Sequence, residues 1–145
     1  MGLLDRYVTQ VTGPLPDPVP LVGPLLDPDD RILAWARASA VGAAGEGPPT
    51  SLARTLPQDA ADLYLVVSDV ALSAWRWSGL PSEAPAPFYR IAGENIVAAA
   101  DTRVAAGDGA VTLRVAFVDA SSFDFRVLPG QEAFLAACAQ RWPGN

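Results

Sequence analysis

The sequence predicts a mostly-β α+β fold of about seven short strands followed by one C-terminal helix. Three observations carry that prediction. Val111, Leu113, Val115 and Phe117 alternate with Thr112, Arg114 and Ala116, and beyond Asp119-Ala120-Ser121 the residues Phe123, Phe125 and Val127 alternate with Asp124 and Arg126. Period two on both arms marks an antiparallel hairpin with one buried face. Upstream, two apolar runs, Leu63–Ser68 and Val70–Trp77, meet at Ser68-Asp69, and such side chains bond back to turn amides, so this is a second hairpin. After Pro129-Gly130, Phe134, Leu135, Cys138 and Trp142 fall on one stripe of a helix from Gln131 to Trp142.

The remaining elements follow in chain order. Six prolines lie between Pro14 and Pro28, interleaved with Leu15, Val19, Leu21, Val22, Leu25 and Leu26. Proline fixes φ and removes a donor, so residues 1–28 read as an extended, polyproline-like or turn-rich segment. Its apolar residues suit it to lie against something apolar. The ordered domain spans residues 29–145, opening at Asp29-Asp30 on a first strand, Ile32–Ser39. Ala40–Asp62, rich in Gly, Ala and Pro, reads as a long loop with a helical turn near Ser51–Thr55. Gly79–Pro87 is a loop and Phe88–Ala92 a short strand. Ile96–Val104 reads as a further strand, although its alanines also suit a helix. Gly107-Asp108-Gly109 is a turn signal. Glu132 suits the positive start of the terminal helix and Arg141 its negative end, and Pro143-Gly144 stops it.

Composition narrows the chemistry. The 145 residues carry 10 basic and 16 acidic side chains, a net charge of −6, and every base is arginine, with no histidine and no lysine. Without histidine there is no Ser-His or Cys-His dyad and no His-ligated zinc. Without lysine there is no P-loop lysine and no Schiff base. An acidic balance with no basic run argues against nucleic acid as a partner. A single cysteine, Cys138, makes no internal disulfide. A chain of this length buries roughly 68–70% of its unfolded surface, enough for a core without metal or cross-links. The first residues, Met1-Gly2-Leu3-Leu4-Asp5-Arg6, lack the features of a signal peptide or a myristoylation signal. No apolar stretch reaches the length of a transmembrane span. The expectation is a cytoplasmic protein.

The hairpin LYLVVSDVALSAW, the later FYRIAGENIVAA and the terminal VTLRVAFVDASSFDFRV–QEAFLAACAQRW together resemble the bacterial pleckstrin-homology-like (PH-like) domains and their GRAM-like relatives. Ser68, Asp69 and Leu72 match the family's strand-ending Ser/Thr-Asp turn and its following apolar residue, and DDRILAWA resembles the family's first strand with acids before it. The resemblance covers Asp29–Trp142. It implies a bent, partly open antiparallel barrel with the helix plugging one end. Members that bind phosphoinositides cluster Lys and Arg in the loop between the first two strands. Here Ala40–Asp62 holds one base, Arg54, against Glu46, Asp59 and Asp62, so phosphoinositide binding does not carry over. What the resemblance leaves is a non-enzymatic protein-interaction or self-association module, its partner another protein or a second copy.

Candidate sites are few. Trp75 and Trp77 share one face of their strand, and Leu72, Ala74 and Arg76 share the other. Only one face meets the interior. With the Leu72 face inside, Trp75, Trp77 and the neighbouring Arg76 mark an interaction surface, covered by the proline-rich segment or by a second subunit. With the tryptophans inside, they are core. Arg114 and Arg126 are a candidate anion contact on the outer face of the last hairpin, set against a solvated face balanced by Asp124. Cys138 reads as core. Asp27, Asp29 and Asp30 read as groups solvating the start of the first strand, lacking the glycine and terminal glutamate of a calcium loop. No catalytic residue, cofactor or metal is predicted. The alternative function is a small barrel that binds an apolar ligand in a cavity lined by Trp35, Trp75, Trp77 or Trp142. A more remote one is a hydrolase or isomerase that works without histidine.

Overall fold

A computed structural model describes residues 16–105 and 109–144. Seven antiparallel strands form one sheet: β1 (Ile32–Ala43), β2 (Ala60–Ser68), β3 (Ala71–Arg76), β4 (Ala86–Ala92), β5 (Ile96–Ala105), β6 (Val111–Phe117) and β7 (Ser122–Val127). Their order is β4-β3-β2-β1-β7-β6-β5, so the sheet stays open, with β4 and β5 at its edges, and does not close into a barrel. Among the described residues three α-helices accompany it: α1 (Val19–Val22), α2 (Leu52–Thr55) and the terminal α3 (Glu132–Arg141). The chain is therefore mostly β, with one C-terminal helix of ten residues.

β1 holds the sheet together. It pairs with β2 from Ile32 to Ala40 and with β7 from Ala38 to Ala43, with register shifts near Ala34, Ala40 and Gly42. Bulges of this kind bend a strand and sharpen its twist, which lets one strand serve both the β2–β4 meander and the β5–β7 meander. The sequence ends this strand at Ser39. It runs four residues further because β7 supplies partners: Ala40 faces Phe125, Gly42 faces Asp124 and Ala43 faces Phe123. Pairing and packing outweigh the weak strand preference of Ala and Gly.

Both predicted hairpins form. β6 and β7 pair Leu113 with Phe125 and Val115 with Phe123, burying those four and leaving Arg114 outside. β2 and β3 pair Leu65 with Ala74 and Val67 with Leu72 around Ser68-Asp69. Ile96–Ala105 is a strand and not a helix, since β6 offers a full ladder to its alanines. The Gly107-Asp108-Gly109 turn falls partly outside the described residues. Ala120, in the β6–β7 turn, has φ +72°, a conformation that opposes the Cβ of an L-residue. Ala120→Gly is expected to raise the unfolding free energy by about 1 kcal/mol. The check is a higher urea midpoint at unchanged slope; a lower midpoint would contradict it.

The inner face of the sheet makes the main core. Leu63, Leu65 and Val67 of β2, Leu72 and Ala74 of β3, and the inward residues of β6 and β7 meet Phe134, Cys138 and Trp142 of the α3 stripe. Leu135 is only partly buried against it. α3 lies against β5, β1 and β2. Gly93, at the β4–β5 corner, donates to the Val70 carbonyl at 2.7 Å. A Cβ at Gly93 would stand 2.8 Å from that oxygen and 3.3 Å from the Trp142 ring, so the corner admits no side chain.

The proline-rich segment departs from a wholly extended form. Pro20 and Pro24 fall at first-turn positions, where the missing N–H costs nothing and the fixed φ suits a helix. Val19–Val22 makes one helical turn, with the Val19 amide donating to Asp17 Oδ1 at 2.9 Å, and Gly23–Leu25 continues as a tighter turn. The segment then lies on the outer face of the sheet.

Candidate functional site

The outer face of β1, β2 and β3 carries a second, smaller apolar layer. Tyr64, Val66 and Trp75 are buried there together with Val22 from α1, and Leu26, Ile32, Trp35 and Trp77 pack around them. The strand geometry dictates this. Leu72 and Ala74 turn to the main core, so Ser73 and Trp75 turn outward. The open choice between the two faces of β3 is thus resolved: the Leu72 face is inside, and the tryptophans are outside but not bare. Trp75 is 4% exposed. Its cover is the proline-rich segment of the same chain.

Hydrogen bonds fix the rings. Trp75 Nε1 donates to Ser73 Oγ at 2.8 Å, and Ser73 Oγ in turn donates to the Val66 carbonyl. Trp77 Nε1 donates to the carbonyls of Leu80 and Glu83 and so ties down the β3–β4 loop. Tyr64 stands between Trp35, at 5.7 Å between ring centroids, and Trp77, at 5.4 Å, with the Arg37 guanidinium 4.6 Å from its own centroid. Pro16 reaches Gly79 of the same loop, where a Cβ would stand 3.2 Å from Pro16 Cγ. Arg76 belongs to the inner face but sits at its open end, exposed, with its guanidinium 4.3 Å from the Phe88 centroid. It still meets Trp77 at the rim, where both line one groove with Arg37 and Asp62.

The four tryptophans do not line one cavity. Trp35, Trp75 and Trp77 belong to the outer layer, whereas Trp142 is in the main core beside α3.

A cleft of about 470 Å³ opens where the outer layer ends, lined by Leu25, Leu26, Asp27 and Asp30 on one side and by Ser68, Ala71, Ser73, Trp75, Pro87, Tyr89 and Arg90 on the other. Asp30 does not serve only to solvate the start of β1. It turns inward, because Ile32 pairs with Ser68 at the end of β2 and brings the two side chains together. Ser68 Oγ donates to Asp30 Oδ2 at 2.9 Å, while Oδ1 is buried with no protein partner. The Tyr89 hydroxyl is also buried without one, and burial pushes its ionisation well above the ordinary tyrosine range, so it stays protonated. Asp27 and Asp29 remain exposed.

The other expected sites are structural. Arg114 and Asp124 form a two-pronged pair across β6 and β7, at 2.8 and 3.0 Å. The Asp124 hydrogen bond, then its charge, hold the Arg114 pKa above its ordinary value. Arg126 faces Thr112, two register positions from that pair and on the same face. The two arginines are neighbours, but Arg114 is already committed to Asp124. Arg54, the one base in the β1–β2 loop, donates to the Gly45 carbonyl at 3.0 Å. Cys138 is fully buried, and burial pushes its thiol up to about 12.

Asp119 anchors that loop. Its Oδ2 accepts the Leu52 amide at 2.8 Å and its Oδ1 accepts from Ser121, so it caps α2 from the β6–β7 turn. The Ser121 side-chain bond and then the Leu52 amide lower its pKa. A carboxylate with a depressed folded pKa adds stability that is complete above its unfolded value of about 3.9 and fades as pH falls through the folded one. The urea midpoint of Asp119→Asn is therefore expected to sit below wild type at pH 6 and to converge on it below about pH 3.9. A gap that stays constant with pH would contradict this.

No helix is long and apolar enough to cross a membrane among the described residues. The chain matches no family model and none of the curated proteins with which it was compared.

Proposed function

We propose that the chain is a non-enzymatic protein-interaction module with a PH-like fold, acting in the cytoplasm, that receives a short proline-containing apolar segment on the outer face of its sheet. One observation carries this reading: Val22 and Leu26, from a proline-rich stretch of the same chain, are docked on the Tyr64–Trp75 layer. Seven antiparallel strands and a C-terminal helix against the inner face are what the PH-like resemblance leads one to expect, and they support it. The net charge of −6 and the engagement of Arg54 speak against phosphoinositides and nucleic acids as partners. When another copy supplies the segment, the same face serves self-association by exchange.

The test keeps the full chain. Val22→Asp with Leu26→Asp would place carboxylates in the apolar layer and release the segment, leaving the main core intact. Light scattering across concentration is expected to show the wild type moving reversibly toward a dimer at high concentration, as copies exchange segments, while the double variant, whose segment docks in neither copy, stays monomeric. A double variant that dimerises as readily as the wild type would argue against exchange.

A further inference from the structure

The cleft between the proline-rich segment and β3–β4 has a chemistry that the peptide-receiving face does not use. We propose that it is a binding site for a small organic ammonium ion carrying an apolar body. The proposal goes beyond peptide binding and needs the segment in its docked position.

Two features define the site. The first is a half-buried carboxylate with one enclosed oxygen. Asp30 Oδ2 is held by Ser68, whereas Oδ1 is buried without a protein partner. A buried carboxylate oxygen is costly to leave unpaired, and a charged donor is the partner that compensates it best. An ammonium group has three N–H donors and no acceptor, which suits a carboxylate with an open oxygen.

The second feature is the wall. Leu25, Leu26, Ala71 and Pro87 are apolar, and Trp75 presents an aromatic ring whose own N–H is already spent on Ser73. Aromatic faces attract cations, and about 470 Å³ lies within the range of small-molecule sites. The charges facing the cleft are Asp27 and Asp30 against Arg90. Asp27 and Arg90 are exposed at the rim, so Asp30 is the charge at depth. The net balance favours a monocation.

The geometry also makes the segment part of the site. Leu25–Asp27 forms one wall, and Leu26 is anchored in the Tyr64–Trp75 layer. A bound ammonium would therefore hold the segment down, through Asp30 and through the apolar wall together.

The experiment titrates the wild-type full chain with 2-phenylethylammonium, 2-phenylethanol and 3-phenylpropionate, following the Trp75 indole N–H by NMR. The ammonium is expected to give a saturable shift, with affinity at least tenfold above the alcohol, which has the same body and no charge, and with no saturation by the carboxylate. Asp30→Asn is expected to weaken ammonium binding at least tenfold while the spectrum stays dispersed. If that variant fails to fold, the charge selectivity of the wild type decides alone. No saturable shift, equal affinity for ammonium and alcohol, or preference for the carboxylate through Arg90 would each overturn the proposal. A loss of the shift in Val22→Asp/Leu26→Asp, with selectivity intact in the wild type, separates failure of this site from failure of the docking face.

Discussion

Trp75→Ala is expected to destabilise the chain by about 3–5 kcal/mol, the range for removing a large buried aromatic side chain. Trp75 is 4% exposed, sits against Val22, Tyr64 and Val66, and donates its indole N–H to Ser73. Truncation leaves a void and removes the indole N–H that the buried Ser73 hydroxyl accepts. It also removes the floor on which α1 rests, so the loss includes part of the docking energy of the segment. Urea unfolding gives the stability, and limited proteolysis between residues 16 and 28 reports the segment. Trp75→Phe should keep most of the packing and lose only the hydrogen bond, about 1 kcal/mol. A cost below 1 kcal/mol for the alanine variant would mean that this face is an open surface and not a covered layer.

Phe134→Ala is expected to cost a similar 3–5 kcal/mol, but through the opposite face. Phe134 is 1% exposed and begins the stripe that continues through Cys138 and Trp142. A helix of ten residues has little stability of its own, so docking of that stripe is what holds it. Cys138 supplies a second readout. Burial pushes its thiol up to about 12, which keeps it unreactive at neutral pH. Phe134→Ala should speed alkylation of Cys138 strongly, in step with local opening of α3, while Trp75→Ala should change it only through global stability. Equal alkylation rates in wild type and Phe134→Ala would contradict the assigned packing.

The contrast between the two faces was partly legible in the sequence. Strands β6 and β7 alternate, and each buries one face. Leu63–Val67 does not alternate: five apolar residues run consecutively, and all are buried, with Leu63, Leu65 and Val67 inward and Tyr64 and Val66 outward. A continuous apolar run is what a strand covered on both sides requires. The face of Trp75 could not be chosen from its own strand, because Ala71–Trp75 is buried on both sides as well. The docked α1 decides it, and along the chain α1 is separated from β3 by two whole strands, β1 and β2. The extension of β1 to Ala43 was hidden for the same reason: Ala and Gly carry no strand signal, and only β7 explains them.

Asp30 shows where sequence reasoning stops at a site. Three acids before a strand read as solvation, and two of them, Asp27 and Asp29, are exposed. The third differs because Ile32 is paired with Ser68, which brings the Ser68 hydroxyl onto Asp30 across 38 residues of chain. The one available clue was position: Asp30 precedes the strand by two residues and so shares the face of Ile32, which packs on the outer layer. Arg114 was the reverse case. Its register partner, Asp124, lies in the same hairpin, and local pairing was enough to anticipate a balanced charge.

The account turns on whether the Tyr64–Trp75 face accepts a proline-containing apolar segment as a separable ligand. The direct measurement is a calorimetric titration of a synthetic peptide of residues 16–28 into two full chains, the wild type and Val22→Asp/Leu26→Asp. Saturable binding to the double variant, with at least tenfold weaker binding to the wild type whose own segment fills the face, is the predicted result. No binding to the double variant, or equal binding to both chains, would contradict it.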